Sequence, residues 1–252
     1  TSLASIQQTG LPNYFDDQRF GSLGESGEWI ARAWCQGHWE RALWLALADS
    51  HGNDSASEKR QKQILRELWG NWPACEQSLD RSSRRSIATQ LANTVKSGRD
   101  PDFRSALAQI NVDLRGLYLS AYQSALWNRW LARFIEAHCD AASITAFDLI
   151  SGRGVFPLTL TADPAANLIE TELQLPCARI DRPEGLQGDL LDAVLQEEKI
   201  ELRELRVKYP RDSFFSKGMR RAFIRPVGLS SSVDHDELHD GRQKLTLSFE
   251  LP

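Results

Sequence analysis

The chain has 252 residues, of which 41% are hydrophobic and 25% charged, and its formal net charge is −4. This composition is typical of a globular protein that buries its own core, and the charge gives no global sign of a nucleic-acid-binding protein. No apolar run approaches the about 20 residues that a membrane-spanning helix needs, and no secretory signal is visible. We therefore expect a cytoplasmic protein without a membrane segment.

The cysteines make a metal site or a disulfide framework improbable. Four are present and none forms a CxxC pair: Cys35, Cys75, Cys139 and Cys177. The sequence predicts reduced, buried thiols and no bound metal. The chain also begins with Thr1, has Met219 as its only methionine and stops directly after an alternating pattern. We expect it to be an interior piece of a longer protein.

The first half of the chain is predicted to be helical. Residues 1–25 are rich in Gly, Pro, Asn and Asp, which is typical of a loop. Apolar residues then recur at helical spacing from Ser26, with a break at Gly37. A charged helix is predicted at 56–69, interrupted by Pro73, and another at 82–96 with a serine N-cap. Pro101 is expected to open a short helix, and Asp113 to cap a long central helix that ends near His138.

The second half mixes strands and helix. Strands are predicted at 144–150, 155–161 and 221–229, the last despite Pro226, and a helix at 189–198; residues 201–207 are ambiguous. Alternation of Leu245, Leu247 and Phe249 with polar residues predicts a half-buried strand. The fold class is therefore α+β, helical in its first half and mixed in its second.

A dense group of histidines and acids lies at 234–240. His235 and His239 with three aspartates could suit a divalent ion. The stretch is acidic, has few apolar residues and lies between two predicted strands, so we favour a solvated loop.

Residues 10–24 carry the most informative pattern, because aromatic, amide, acidic and basic residues lie close together between glycines. Tyr14, Phe15 and Phe20 could anchor an irregular loop in the core. An aromatic face can also stack a flipped base while a neighbouring amide reads the edge of that base. The residues alone leave both readings open.

Three ordered segments resemble the TruD family of tRNA pseudouridine synthases. They are GLPNYF at 10–15 with QRFG at 18–21, RGLYLSAYQS at 115–124 with Trp127 and Asn128, and GMRRAF at 218–223 leading to LTLSFELP at 245–252. The resemblance implies a cofactor-free enzyme that converts a uridine in tRNA, typically at position 13, to pseudouridine. It also implies a partial pseudouridine-synthase catalytic domain formed by residues 1–26 and 214–252, with a family-specific insert at 27–213. We expect a monomer that binds tRNA.

The resemblance assigns two pocket residues. Phe15 matches the phenylalanine that stacks on the target uracil, and Asn13 matches the asparagine that holds the base and the catalytic aspartate. The family's Gly-x-Lys-Asp nucleophile motif has no match here, and neither Asp80 nor Asp113 is assigned to that role. The chain is therefore expected to be truncated at both ends and inactive alone.

Basic residues are the candidates for contacts with tRNA phosphates. The predicted set comprises Arg19, Arg84, Arg85, Lys217, Arg220 and Arg221; Arg19 could equally orient the loop. Two rival functions remain: a non-catalytic RNA-binding relative, and a helical scaffold with no RNA role. The scaffold would need Phe15 to be buried in the core.

Overall fold

The computed structural model describes residues 3, 6, 7, 10–158 and 168–250. The chain divides into two compact units. The first unit comprises Thr1–Phe15, Asn128–Gln174 and Gly218–Pro252, and the second comprises Asp16–Trp127 and Leu175–Lys217. These units are defined by contacts within this chain, whereas the predicted division into catalytic domain and insert rests on the family resemblance. That division therefore stays a prediction.

Among the described residues, the helices lie mostly in the second unit. Those that lie wholly within the described residues are, in chain order, α1 Ile30–Cys35, α2 Trp39–Leu47, α3 Ala56–Leu68, α4 Trp72–Ser78, α5 Ser83–Lys96, α6 Phe103–Ala108, α7 Val112–His138 and α8 Gly185–Glu197. Residues 128–138 of α7 belong to the first unit. Short 3-10 turns occur at Asp17–Phe20, Ala141–Ser143 and Leu202–Glu204.

Capping side chains explain where several helices begin. Ser55 and Glu58 form a reciprocal capping box at α3, and Ser82 accepts a hydrogen bond from the Arg85 N–H at α5. The predicted helices at 56–69 and 82–96 are thus confirmed. Pro73 does not interrupt the chain as predicted but lies in the first turn of α4, where a proline costs no helical hydrogen bond.

Two predicted helix starts were wrong. Asp102 caps α6 by accepting from the Ser105 N–H at 2.9 Å, so Pro101 lies outside that helix. Asn111 accepts from the Asp113 N–H at 2.7 Å, so Asp113 is an acid in the first turn of α7. The side chain that satisfies the free backbone donor follows the predicted residue by one position in α6 and precedes it by two positions in α7.

The described strands belong to the first unit and pair as four antiparallel two-stranded sheets. They are β1 Leu11–Pro12 with β6 Phe223–Ile224, β2 Ile144–Leu149 with β3 Gly152–Pro157, β4 Glu172–Gln174 with β5 Met219–Arg221, and β7 Val227–His235 with β8 Gln243–Glu250. The predicted strands at 144–150 and 155–161 form the β2–β3 hairpin, although positions 159–161 lie outside the described residues.

The segment predicted as a single strand at 221–229 is divided instead among β5, β6 and β7. At Ala222 the chain changes partner, because its N–H donates to the Thr171 carbonyl beside β4 while its carbonyl accepts from the Asn13 N–H beside β1. A second break falls between β6 and β7 at Pro226, which has no N–H to donate. β8 is a strand as predicted, but it is not half-buried. Leu245, Leu247 and Phe249 are 60%, 43% and 50% exposed, because within the described residues β8 pairs only with β7.

Each unit has its own apolar centre. In the second unit the fully buried large side chains include Phe20, Trp34, Trp72, Tyr122 and Trp127, and in the first they include Trp130 and Phe223. The rings of Phe20 and Trp29 meet edge to face at 5.8 Å between centroids. Such aromatic packing supplies much of the burial that holds each unit together.

Candidate functional site

The loop at Asn13–Phe15 is held by the backbone of the GMRRAF segment. β1 pairs with β6, so that Pro12 lies opposite Phe223. The ladder is extended by the Asn13 N–H, which donates to the Ala222 carbonyl at 2.8 Å. The side-chain amide Nδ2 of Asn13 also donates to the Arg221 carbonyl, at 2.9 Å. Two of the three segments that carry the family resemblance therefore meet directly.

Gly10 allows this approach. Its φ is +74°, and a Cβ at this position would lie 2.5 Å from the Ile224 carbonyl oxygen. A side chain is excluded both by the left-handed backbone and by the contact with β6.

Arg220 binds both predicted pocket residues. Its Nε and Nη2 donate to the backbone carbonyl of Asn13 at 3.1 and 2.9 Å, and Nη2 also donates to the side-chain Oδ1 of Asn13 at 2.6 Å. The guanidinium carbon lies 4.0 Å from the centroid of the Phe15 ring, which is a cation–π distance. One planar group thus fixes the amide of Asn13 and packs on the ring of Phe15.

Asn128 on α7 fixes the backbone of Phe15. Its Oδ1 accepts from the Phe15 N–H at 2.8 Å, and its Nδ2 donates to the Phe15 carbonyl at 2.9 Å. The same Nδ2 donates to Ser151 Oγ at 3.0 Å. Asn128 is only 1% exposed. Its side-chain amide makes the two hydrogen bonds to the backbone of Phe15 that a neighbouring strand would otherwise make. The remaining segment that resembles the family, residues 115–124 with Trp127 and Asn128, therefore contributes Asn128 to the same site.

Tyr14 anchors the loop to strand β3. Its hydroxyl donates to the Val155 carbonyl at 2.9 Å and accepts from the Val155 N–H at 3.0 Å. The ring packs on Phe147 and Phe156 at centroid distances of 5.9 and 5.8 Å. Burial raises the pKa of Tyr14, so the phenol stays protonated and neutral. Tyr14 is an anchor of the loop.

The three aromatics of the loop thus have different surroundings. Phe20 is 1% exposed and belongs to the core of the second unit. Tyr14 is half-buried with its hydroxyl bound to backbone, and Phe15 is half-buried under a guanidinium. The core-anchor reading is therefore right for Phe20 and Tyr14, and it does not describe Phe15.

The remaining predicted basic residues are distributed over both units. Lys217 and Arg221 are exposed, and Arg221 lies 3.9 Å from Glu172 across the β4–β5 pair. Arg84, on α5, donates through Nε to the Leu47 carbonyl at 3.3 Å, so it also supports the C-terminus of α2. Arg85 is half-buried on the same helix. Their contacts with phosphate stay a prediction.

The acids and Arg19 that follow the loop form a short 3-10 turn. Asp16 accepts from the Gln18 N–H at 2.9 Å and so caps the turn, and Arg19 is exposed within it. Asp16 is therefore a capping residue, which agrees with its interpretation as a loop feature.

No group suited to bind a metal occurs among the described residues. The predicted solvated loop at 234–240 is right only in part: Asp234 and His235 belong to β7, whereas the exposed turn before β8 contains His239, paired with Asp236 at 3.0 Å. All four cysteines are free; Cys75 and Cys177 are buried, and burial raises the pKa of the half-buried Cys35 to about 12. In the part of the chain that the structure describes, no helix is long and apolar enough to cross a membrane.

Sequence reasoning missed the roles of two residues. Asn128 was recognised only as part of a match, and its signal was a carboxamide in an otherwise apolar helix. Arg220 was grouped with exposed phosphate ligands, although the following residue, Arg221, is the one that faces solvent. Alternation along β5 distinguishes these two arginines, because neighbouring side chains in a strand point to opposite faces.

The fold and site together define an α+β protein with a half-buried aromatic ring beside an oriented amide and a guanidinium, a combination suited to a flat heteroaromatic ligand. The family model described as tRNA pseudouridine synthase D (TruD) matches residues 1–252. The chain belongs to this TruD family.

Individual relatives agree with this assignment. The chain is 25% identical over 251 residues to the tRNA pseudouridine synthase D of Aquifex aeolicus, covering 98% of this chain and 59% of that protein. It is 30% identical over 265 residues to the protein of the same name from Geobacter metallireducens, covering 99% of this chain and 59% of that protein. A crystal structure described as tRNA pseudouridine synthase D from Methanosarcina mazei has the same fold, with a TM-score of 0.70 at 20% identity over 98% of this chain and 59% of that one. The chain thus spans about 60% of the length of these relatives.

Proposed function

We propose that the protein containing this chain isomerises a uridine of tRNA, typically at position 13, to pseudouridine. The observation that carries the proposal is the convergence of Asn13, Phe15, Asn128 and Arg220 in one half-buried site. These residues come from the three segments that resemble the family. The proposed reaction needs no cofactor, and the protein acts in the cytoplasm as a monomer.

In this proposal Phe15 stacks on the extruded uracil. Base stacking on an aromatic ring contributes about 1–3 kcal/mol, which is comparable to the few kcal/mol that flipping a base costs. The contact with Arg220 and the two backbone hydrogen bonds to Asn128 hold the ring in place before the base arrives. Preorganisation of this kind reduces the entropy lost on binding.

Asn13 orients the reacting groups. Its Oδ1 accepts from Arg220 and its Nδ2 donates to the Arg221 carbonyl, so the amide has one fixed orientation. The nucleophile is an aspartate that is not assigned to any residue of this chain. The bond from C1′ to N1 of uracil breaks, the base turns, and a bond from C1′ to C5 forms while C5 loses a proton and N1 gains one.

Substitution of Phe15 in the full-length protein tests the proposal. Phe15→Ala is expected to lower kcat/KM about 5- to 150-fold, as loss of one stacked base predicts, while Phe15→Tyr retains most of the activity. The measurement is release of tritium from C5-labelled uridine in a tRNA transcript, with thermal unfolding as a control for folding.

Two results would contradict the proposal. A full-length protein that binds tRNA and releases no tritium would be a non-catalytic RNA-binding relative, especially if its upstream sequence lacks the Gly-x-Lys-Asp motif. A Phe15→Ala variant with normal activity and strongly reduced stability would show that Phe15 is a core residue of a scaffold.

A further inference from the structure

A cationic pocket lies in the second unit, formed by residues that the sequence prediction left without a role. Its volume is about 390 Å³, and its walls come from the segments 177–179, 205–207 and 211–215. This size is within the range of sites that bind small molecules or single nucleotides, about 300–1,000 Å³.

Three arginines line this pocket: Arg179, Arg206 and Arg211. All three are exposed, and within the described residues none has an ion-pair partner. The lining contains no acidic residue. Three like charges around one pocket repel each other, and a bound anion would relieve that repulsion. Guanidinium groups also suit phosphate better than ammonium groups do, because they donate in a planar fork.

The neighbouring carboxylate is neutralised within the protein. Asp212 lies 2.6 Å from the guanidinium of Arg115, which is 4% exposed on α7. The negative charge next to the pocket is therefore already paired. The lining thus carries three arginines and no carboxylate, in a chain whose net charge is −4.

An exposed aromatic ring completes the lining. Phe214 is 65% exposed, whereas the next residue, Phe215, is only 6% exposed. A large aromatic exposed beside basic groups is the usual platform for an unstacked base. An acidic protein segment would account for the arginines, but it would give no reason for an exposed phenylalanine.

The walls of the pocket are fixed from behind by α7. The side-chain amide of Gln123, which is 2% exposed, donates to the Pro176 carbonyl at 3.0 Å and to the Ser216 carbonyl at 2.8 Å. The Ala178 N–H donates to the Leu205 carbonyl at 3.0 Å and so joins the wall segments 177–179 and 205–207. The pocket is thus held open by buried polar contacts, which preorganise it for a ligand.

We infer that this pocket binds one nucleotide of RNA, with Arg179, Arg206 and Arg211 contacting phosphate and Phe214 stacking on an unpaired base. The identification of RNA as the ligand rests on the proposed function. The site is additional to the one around Phe15, and its lining residues, between Cys177 and Phe215, all lie in the second unit.

Binding measurements on this chain test the inference. Fluorescence anisotropy is recorded with a labelled, unmodified tRNA transcript and with a labelled oligouridylate over a series of salt concentrations. The triple variant Arg179→Ala, Arg206→Ala, Arg211→Ala is expected to bind tRNA about tenfold or more weakly and to reduce the salt slope by about 2–3. Phe214→Ala is expected to weaken oligouridylate binding about 5- to 150-fold, and Phe214→Trp to retain it.

A charge-matched control distinguishes a site from a general charge effect. The control is a second triple variant, which removes an equal number of positive charges from exposed positions outside the pocket lining: Lys59→Ala, Arg60→Ala, Arg99→Ala. It should bind RNA nearly normally. An equal loss in this control, unchanged binding by the pocket triple variant, or unchanged oligouridylate binding by Phe214→Ala would overturn the inference. So would competition by polyglutamate at the same concentrations as RNA, because the pocket would then bind acidic polymers without reading a base.

The test also separates this inference from the proposed function. If the pocket variants bind RNA normally while Phe15→Ala still lowers the rate of pseudouridine formation as predicted, the inference fails and the enzyme stands. If the pocket variants lose RNA binding and the full-length wild type forms no pseudouridine, the RNA site stands and the proposed enzyme fails.

Discussion

Arg220 is the residue on which the candidate uracil site depends most. Its guanidinium makes three hydrogen bonds to Asn13 and one ring contact with Phe15. A lysine could not reproduce these contacts, because an ammonium is a single point of charge without a planar fork. We therefore regard Arg220 as a positioning residue in the proposed reaction, whereas Arg221 and Lys217 keep their proposed phosphate contacts.

Substitution of Arg220 distinguishes positioning from phosphate binding. In the full-length protein, Arg220→Met is expected to lower kcat about 100-fold, the effect of a displacement of about 1 Å at a reacting centre, with KM for tRNA nearly unchanged. Arg220→Lys should restore little of the loss. Steady-state kinetics on a tRNA transcript measure both constants. A higher KM with unchanged kcat and a smaller salt slope would make Arg220 a phosphate ligand instead.

At this scale the sequence predicted residue types better than their contacts. The family resemblance assigned Asn13 and Phe15 to the pocket, but the residue types alone could not separate Phe15 from Tyr14. The difference depends on Val155, 141 positions away, which binds the Tyr14 hydroxyl. Contacts over such separations leave no local periodicity in the sequence.

Helix α7 supports both the candidate uracil site and the cationic pocket through polar side chains. Arg115, Gln123 and Asn128 are 4%, 2% and 1% exposed, and each donates to the backbone of an irregular segment. Irregular segments have backbone groups that no ladder satisfies, so a buried amide or guanidinium replaces the missing partner. The apolar pattern predicted a central helix correctly, but it gave no role to these three positions.

Two helical glycines should respond to alanine in opposite directions. Within 4 Å of a Cβ added at Gly116 in α7 there is nothing, so Gly116→Ala should raise the free energy of unfolding by about 0.5–1 kcal/mol through helix propensity. A Cβ at Gly188 in α8 would collide with the Pro183 carbonyl oxygen, so Gly188→Ala should destabilise the protein. Urea unfolding followed by circular dichroism measures both, and a gain in stability from Gly188→Ala would contradict the packing described for α8.

Helices were predicted more accurately than strands because their signals are local. The predicted helices at 56–69 and 82–96, the second with a serine N-cap, agree with α3 and α5 to within one or two residues. The segment 221–229 has the alternation of a strand, yet it changes partner from β4 to β1 to β8 along its length. Partner exchange is decided by distant segments, so alternation alone could not predict the breaks at Ala222 and Pro226.

At the scale of the whole molecule, the described carboxyl groups with lowered pKa values lie in the second unit. Hydrogen bonds from Arg41, from Ser55 and from Ser105 hold the pKa values of their partner carboxyls below the usual range, the partners being Glu28, Glu58 and Asp102. Burial raises the pKa of Asp54, but the hydrogen bonds and charge of Lys62, 2.8 Å away, outweigh it and leave that pKa lowered as well. All four residues lie within Asp16–Trp127.

Acid should therefore unfold the second unit. Carboxyls with lowered native pKa values contribute stability above their ordinary pKa of about 4, and this contribution is lost as the pH falls through the native values. We expect the free energy of unfolding, followed by tryptophan fluorescence, to decrease below about pH 5. Seven of the eight tryptophans lie in this unit. Asp54→Asn should lower stability at neutral pH and flatten the decrease; an unchanged pH profile would contradict the role of the Asp54–Lys62 pair.

The hydrogen bonds described for the loop at Asn13–Phe15 join it to segments far along the chain, at separations from 113 residues for Asn128 to 209 for Ala222. On a ribosome that adds about 5–20 residues per second, about 10–40 s pass between synthesis of the loop and synthesis of its last partner. During that interval the loop has neither Arg220 nor Asn128 to define its shape. The aromatic segment therefore stays without these partners while the rest of the chain is synthesised, and the candidate uracil site can be completed only late in folding.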